Sequence, residues 1–172
     1  MHDGPEAAIL AAMDEAALQL CAIGVIHTPH LEAKGTPIQP KFAEGVEGTV
    51  EVDPRYAEGL SDLHGFERIW LVYWFDRSPG MRLRVKPFMD DVERGLFATR
   101  APCRPNPIGF SCVRLVKIEG NVLDVADVDM LDGTPLLDIK PYVARFDTWD
   151  VKRSGWQDAA ADNPRADGRF AK

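Results

Sequence analysis

The run IGFSCVRLVKIEGNVLDVADVDM, residues 108–130, decides the fold of this chain. At its centre, Glu119-Gly120-Asn121 is a hairpin signal, because Gly and Asn accept the positive φ that a tight turn demands. Ile108–Ile118 and Val122–Met130 read as the two strands it joins. Val113, Leu115, Val116 and Ile118 on one side answer Val122, Leu123, Val125 and Val128 on the other, which suits a sheet with one face inside.

More strands appear on either side of the hairpin. Residues 68–75, RIWLVYWF, are continuous, aromatic and β-branched, and predict the most buried strand. Val46–Val52 alternates apolar and polar residues, residues 21–28 form a further strand stopped by Pro29, and residues 81–86 read as an edge strand ending at Pro87. Downstream, Asp132-Gly133-Thr134-Pro135 is a turn and Leu136–Lys140 a short strand. Helices are few. Residues 5–20 are rich in Ala and Leu and predict an N-terminal helix. Asp53-Pro54 is an N-cap followed by proline at the first helical position, so a short helix fits 54–60, with another at 61–64. Many strands, short loops and few helices imply a mainly β fold: a small single-domain antiparallel sheet or barrel. The expected layout is a helical extension over 1–20, a barrel over 21–143, and a partly flexible extension over 144–172. Residues 155–172 have little to bury apart from Trp156 and Phe170.

The most chemically suggestive segment is Gly95–Gly109, GLFATRAPCRPNPIG. Prolines at 102, 105 and 107 each fix φ and remove an amide donor, and they push Ala101, Arg104 and Asn106 out of the α region. A stiff, non-regular loop follows, carrying Arg100, Arg104 and Asn106. Such a loop loses little entropy on gripping a ligand, and two guanidiniums with an amide suit an anionic one. A rigid surface turn with solvated arginines would show the same spacing.

The chain has 172 residues, 45% of them hydrophobic, enough for one domain with a real core. No run of 18 apolar residues offers a membrane span, and the N-terminal segment lacks the basic start of a secretory signal, so a cytoplasmic protein is expected. Cysteines at 21, 103 and 112 include no CxxC pair, and His27 and His30 lack a completing ligand set, so neither a disulfide framework nor a metal site is expected. Cys103 reads better as an inert thiol than as a nucleophile, since no histidine is paired with it in sequence. The net charge of −7 argues against nucleic acid when taken whole, yet residues 77–104 carry seven bases and only three acids. No GxGxxG, GxxxxGK[ST], GxSxG or HExxH is present, which excludes the usual dinucleotide fold, NTPase loop, hydrolase elbow and zincin.

Several blocks together resemble the TsaA-like (TrmO) family of tRNA (adenine-37-N6)-methyltransferases. They are Ile23-Gly-Val-Ile26 with Thr28-Pro29, Gly35-Thr-Pro37, Leu63-His-Gly-Phe66 and Ile69-Trp70. The longest are Gly95–Pro102 with Arg104–Gly109, and Leu131–Pro135 with Leu137–Tyr142; the likeness spans about residues 21–143. The resemblance implies a small β-barrel that binds S-adenosylmethionine, forms a homodimer with the cofactor near the subunit boundary, and methylates N6 of a threonylcarbamoylated adenosine in tRNA. It implies cofactor contacts at Pro37, Ile38, Gln39, Asp76, Arg77, Arg100 and Phe110, and at Ala126, Asp127, Val128 and Asp129. By their chemistry, Arg100 could pair with a carboxylate, Asp129 could accept from hydroxyls or an amine, and Phe110 with the 70–75 strand could wall an aromatic ring. Arg104 and Asn106 could hold a substrate anion, and Arg82, Arg84 and Lys86 could meet phosphates. Asn106, Asp132 and Asp138 are the candidates to accept the N6 proton. Two positions depart from the family pattern: Ile38 stands where Arg is common, and Asp76 where His is common. A small-molecule acceptor on the same fold, or a non-catalytic ligand-binding dimer module, are the competing readings.

Overall fold

The structure, a computed structural model, describes residues 19–171. The helix expected over 5–20 lies outside them but for its last two positions. Among the described residues eight strands form: β1 (Gly24–His27), β2 (Glu47–Val52), β3 (Arg68–Trp74), β4 (Arg84–Val85), β5 (Arg94–Gly95), β6 (Ile108–Glu119), β7 (Val122–Ala126) and β8 (Thr134–Pro141). Six of them close into a barrel in the order β1-β2-β7-β6-β3-β8, every neighbouring pair antiparallel. Closure leaves the barrel no free edge to pair with another chain. β4 and β5 pair only with each other and make a separate two-stranded arm. The edge strand expected over 81–86 is therefore reduced to two residues and lies outside the barrel.

The β6–β7 hairpin turns where expected, with Gly120 at φ +60°. Its alternation breaks once. Leu115 pairs with Val125 and Lys117 with Asp124, so Val116 is an extra residue that bulges outward and is exposed. That bulge accounts for two adjacent apolar residues in a strand with one buried face. β7 stops at Ala126 rather than running to Met130. Asp127 takes φ +71°, and the amides of both Asp127 and Val128 turn onto the Val46 carbonyl at 2.8 and 3.3 Å. The Asp127 carboxylate fixes this corner, accepting from Gly45 N and from Arg68 Nη2, each at 2.8 Å.

β3 sits between β6 and β8, and its inward residues Ile69, Leu71 and Tyr73 are buried, while Trp70, Val72 and Trp74 on its outer face are only half-buried. The aromatic run thus fills one face and partly covers the other. Trp70 packs on Phe110 and Tyr142 there, with centroids 5.5 and 6.0 Å apart. Ile26, Val50, Val52, Val113, Leu123, Val125 and Leu136 complete the barrel interior, with Leu60 and Leu63 packed against it. Each such side chain is worth about 1.5–3 kcal/mol of burial. The short helices at 54–60 and 61–64 are 3₁₀ turns, Pro54–Leu60 and Leu63–Gly65; Asp53 caps the first by accepting from Arg55 N at 2.9 Å.

The C-terminal residues are not a free tail. Gly35 N bonds Ala166 O at 2.7 Å, Ala166 N bonds Thr36 O at 2.9 Å, and Ile38 N bonds Pro164 O at 3.1 Å. Phe170 is buried with Val85, Leu96, Ala101 and Cys103 in a second, smaller core, edge-on to Phe88 at 5.0 Å. Backbone bonds to residues 35–38 and the burial of Phe170 together hold this polar segment against the chain. Among the described residues no helix is long and apolar enough to cross a membrane, and no cluster of His, Cys, Asp and Glu could hold a metal ion.

Candidate functional site

A cleft of about 780 Å³ opens against the side of the barrel. Residues 36–39 form one wall and residues 99–104 of the proline loop the opposite one; Tyr73, Phe75, Gly109, Asp129 and Met130 lie between them, and Trp156, Gln157 and Phe170 of the C-terminal strap complete the rim. The proline loop is anchored rather than merely stiff. Ser78 Oγ donates to Pro102 O at 3.0 Å, Phe75 N donates to Pro107 O at 2.7 Å, and Cys103 is fully buried beneath it. Gly109, which ends the loop, pairs directly with Tyr73; a Cβ there would collide with the Tyr73 and Phe75 rings. Only glycine lets these two rings reach the cleft.

A polar chain runs into the cleft from the barrel. The Tyr73 hydroxyl lies 3.1 Å from Ser111 Oγ, and Ser111 Oγ donates to Asp129 Oδ1 at 2.6 Å. Tyr73 and Ser111 are buried, while Asp129 is half-buried on the cleft side. Burial pushes the Tyr73 phenol far above its ordinary range, so it stays protonated and serves as donor. Asp129 is pushed up to about 7 by its withdrawal from solvent; the Ser111 hydrogen bond, an amide bond and the Arg100 charge pull it back only in part. A carboxyl in this state favours a ligand that brings positive charge or hydrogen-bond donors. Facing it across the cleft, Arg100 donates from Nη1 to Gln39 Oε1, and its guanidinium lies over the Phe110 ring at 5.2 Å.

The structure brings eight of the expected cofactor positions together on this cleft: Pro37, Ile38, Gln39, Asp76, Arg77, Arg100, Phe110 and Asp129. Pro37 is fully buried there, and Arg77 is tied to the Asp132 carbonyl. Ala126, Asp127 and Val128 do not line it. Ala126 and Val128 are in the core, and both carboxylate oxygens of Asp127 are taken by Gly45 and Arg68. The likeness covered a run of four, but the left-handed turn at Asp127 leaves one of them facing the cleft. Among expected substrate residues, Arg104 lines the cleft and donates from Nη1 to Thr99 O at 3.0 Å. Asn106 is exposed on the loop and outside the lining. Arg84 and Lys86 lie on the arm, paired with Glu93 at 3.7 Å and Asp91 at 2.9 Å; Arg82 is exposed beside them. Of the proton acceptors considered, Asp138 is paired with Lys140 at 2.7 Å on the barrel surface, and Asp132 accepts from Thr28 N at 3.1 Å near His27. Neither lines the cleft.

Ser111 and the strap residues Trp156 and Gln157 belong to the site but were not singled out by the sequence. Ser111 had a usable signal: it is the one polar residue at an inward position of a strand whose next inward residue is Val113. The strap had none, because nothing in residues 155–171 shows that they return to residues 35–38.

A closed antiparallel barrel with a lateral cleft, walled by an arginine-bearing proline loop and lacking any glycine-rich phosphate loop, defines a class of β-barrel ligand-binding proteins distinct from doubly wound folds. Within that class, residues 25–148 match the model of the tRNA-methyltransferase O N-terminal domain, and the chain belongs to that family. It is 51% identical over 158 residues to a probable S-adenosyl-L-methionine-binding protein of Pyrococcus abyssi, covering 89% of this chain and 86% of that one. It is 31% identical over 133 residues to the human tRNA (adenine(37)-N6)-methyltransferase, covering 73% of this chain but 30% of the human one. Among solved structures, it resembles TrmO from Pseudomonas aeruginosa with a TM-score of 0.69 at 36% identity, over 82% of this chain and 63% of that one.

Proposed function

We propose that the cleft binds S-adenosylmethionine and that the protein transfers its methyl group to N6 of adenosine 37 in tRNA, the acceptor being the threonylcarbamoylated base. The observation that carries this reading is the coincidence of the family-matched positions with one cleft, in which the Asp129 carboxyl and the Arg100 guanidinium face an apolar lining. The donor set fits the cofactor: Arg100 suits its carboxylate, Asp129 its cationic or hydroxyl groups, and Phe75, Phe110 and Met130 its ring. When bound, the cofactor supplies an activated methyl on a sulfonium.

The work left to the chain is positioning. Methyl transfer is an in-line displacement in which charge is discharged rather than built up, so no oxyanion hole is needed and alignment supplies most of the acceleration. Arg100, bonded to Gln39, and Asp129, which feels the Arg100 charge, are the charged pair of the cleft, and the proline loop keeps Arg104 at the mouth to receive the acceptor's carboxylate or a phosphate. Asp132 and Asp138 are engaged elsewhere and Asn106 lies off the cleft, so none of the three is placed to take the N6 proton. The N6 proton passes to solvent water as the new N–C bond forms and the sulfonium is discharged.

A homodimer goes with this reading, and the outer face of β3 and β6, where Trp70 packs on the exposed Phe110, is the surface it would use. A cytoplasmic location goes with it too. The small-molecule alternative is favoured by one observation: Arg84 and Lys86 are engaged by acids and therefore less free for phosphates. The deciding experiment incubates the protein with methyl-labelled cofactor and total tRNA and maps the label. Methylated adenosine at position 37, with RNA affinity falling steeply as salt rises, supports the reading. Tight cofactor binding without label in tRNA would turn it toward a small acceptor.

A further inference from the structure

We propose that Phe97 and Trp156 form a stacking platform for unpaired RNA bases at the mouth of the cleft, outside the cofactor positions. The inference rests on the tRNA reading above. Both rings are held by one 3₁₀ turn, Leu96–Ala98. Leu96 is buried in the second core and pins the turn, and Thr99 closes it, donating from Oγ1 to Leu96 O at 2.8 Å. With Leu96 turned inward, Phe97 is thrust outward and is 74% exposed. Trp156 comes from the strap, beyond the family-matched residues, and is fastened to the same turn by Nε1 donating to Ala98 O at 2.7 Å. That bond orients the indole at the rim, where it lines the cleft together with Arg100 and Arg104.

Each ring carries a guanidinium. Arg104 lies over Phe97 at 5.6 Å while bonded to Thr99 O, and Arg94 lies over Trp156 at 5.9 Å while its Nε holds Asp90 at 2.7 Å. Aromatic faces beside an arginine match single-stranded nucleic acid: bases stack on the rings while a phosphate meets Arg104, and Arg94, paired with Asp90, serves to orient the Trp156 ring. The chemistry fits a second copy of this chain less well. A two-fold contact centred on this patch would bring the same arginines face to face. An exposed phenylalanine beside a cleft that takes one nucleobase is the natural support for its unpaired neighbours, since an RNA base presented for chemistry must be splayed from its stack.

The test uses the full chain and fluorescence anisotropy with an anticodon stem-loop RNA and an unstructured oligoribonucleotide. Phe97→Ala leaves a surface position without a core role, and Phe97→Tyr keeps the stacking face. Phe97→Ala is expected to weaken binding of both RNAs roughly ten-fold, within the range of one base–aromatic stack. Its salt slope should match wild type, because no phosphate contact is removed. Phe97→Tyr should restore affinity, and calorimetric affinity for S-adenosylmethionine should not change in either variant. Trp156→Phe, which keeps a ring but loses the bond to Ala98, should fall between them. Wild-type RNA affinity in Phe97→Ala would overturn the inference and leave the tRNA reading standing. So would a wild-type dimer that Phe97→Ala dissociates in sedimentation, which would assign the ring to contact between copies. A wild-type protein that binds the cofactor but neither RNA would remove the tRNA reading itself, and the platform with it.

Discussion

Asp129 is where the chemistry of this chain is concentrated in a single side chain. An unfolded aspartate loses its proton near pH 4, whereas Asp129 in the folded chain holds its own up to about 7 because the barrel withdraws it from water. Between those values the native state binds more protons than the unfolded chain, so this group's contribution to stability is complete at acid pH and lost as pH rises through 7. Asp129→Asn removes that loss. Its melting temperature relative to wild type should be similar at pH 4 and rise progressively toward pH 8; a difference independent of pH would show that the carboxyl titrates normally. Binding has the matching signature. A ligand presenting positive charge to this carboxyl should bind more tightly, and release a proton, as pH rises through 7, and Asp129→Asn should bind weakly at every pH. Arg100 is the cationic partner of Asp129 in the same cleft. Arg100→Ala should cost about 1.5–3 kcal/mol of cofactor affinity by calorimetry, the scale of a charge-assisted hydrogen bond. Unchanged affinity in a folded variant would take Arg100 out of the site.

At the level of elements, the barrel supplies rigid strands and the proline loop supplies reach, and Gly109 is the joint between them. Its Cβ position is already occupied by the Tyr73 and Phe75 rings across the β3–β6 ladder. Gly109→Ala should therefore destabilise the protein by about 1–3 kcal/mol in denaturant unfolding, the cost of overpacking. It should also weaken cofactor binding, because the displaced rings line the cleft. Retention of both properties would mean that the two strands separate more easily than their pairing implies. Element by element, the sequence was readable wherever a local pattern had one physical meaning. Gly120 made the β6–β7 turn legible, the aromatic run made β3 legible, and three prolines made the loop legible as non-regular. Where a pattern had two meanings, it misled. The continuous run 68–75 reads as the most buried strand, but a small barrel has one interior, so Trp70, Val72 and Trp74 are only half-buried. Apolar residues up to Met130 read as continued β7, but the ion pair of Asp127 with Arg68, 59 positions away, turns the chain there. A contact that distant leaves no trace in local spacing, and for the same reason Ala126–Val128 could not be separated from Asp129 as site residues.

Across the molecule as a whole, the C-terminal strap is attached to the rest by contacts far along the chain. The strap joins residues 164–170 to residues 35–38 and packs Phe170 against Ala101 and Cys103 of the proline loop, so it touches both the second core and the cleft rim. Cys103 reports on this directly. It is fully buried, burial raises its thiol above the ordinary range, and the proline loop, the arm and Phe170 cover it. Cys21, by contrast, is exposed. In the intact chain a thiol reagent should label Cys21 quickly and Cys103 only as fast as this small core opens. Phe170→Ala removes a large side chain from a cluster of few members, a loss on the order of 3–5 kcal/mol. Because the barrel core does not include Phe170, that loss should appear as local opening rather than global unfolding. Cys103 labelling should accelerate by at least a hundred-fold, the barrel should keep its far-ultraviolet spectrum, and affinity for S-adenosylmethionine should fall as the rim loosens. Faster labelling with undiminished affinity would show that the strap covers the second core without shaping the cleft. Slow labelling in the variant would show that the proline loop holds Cys103 shut by itself, and that its three prolines, rather than the strap, set the rigidity of the site.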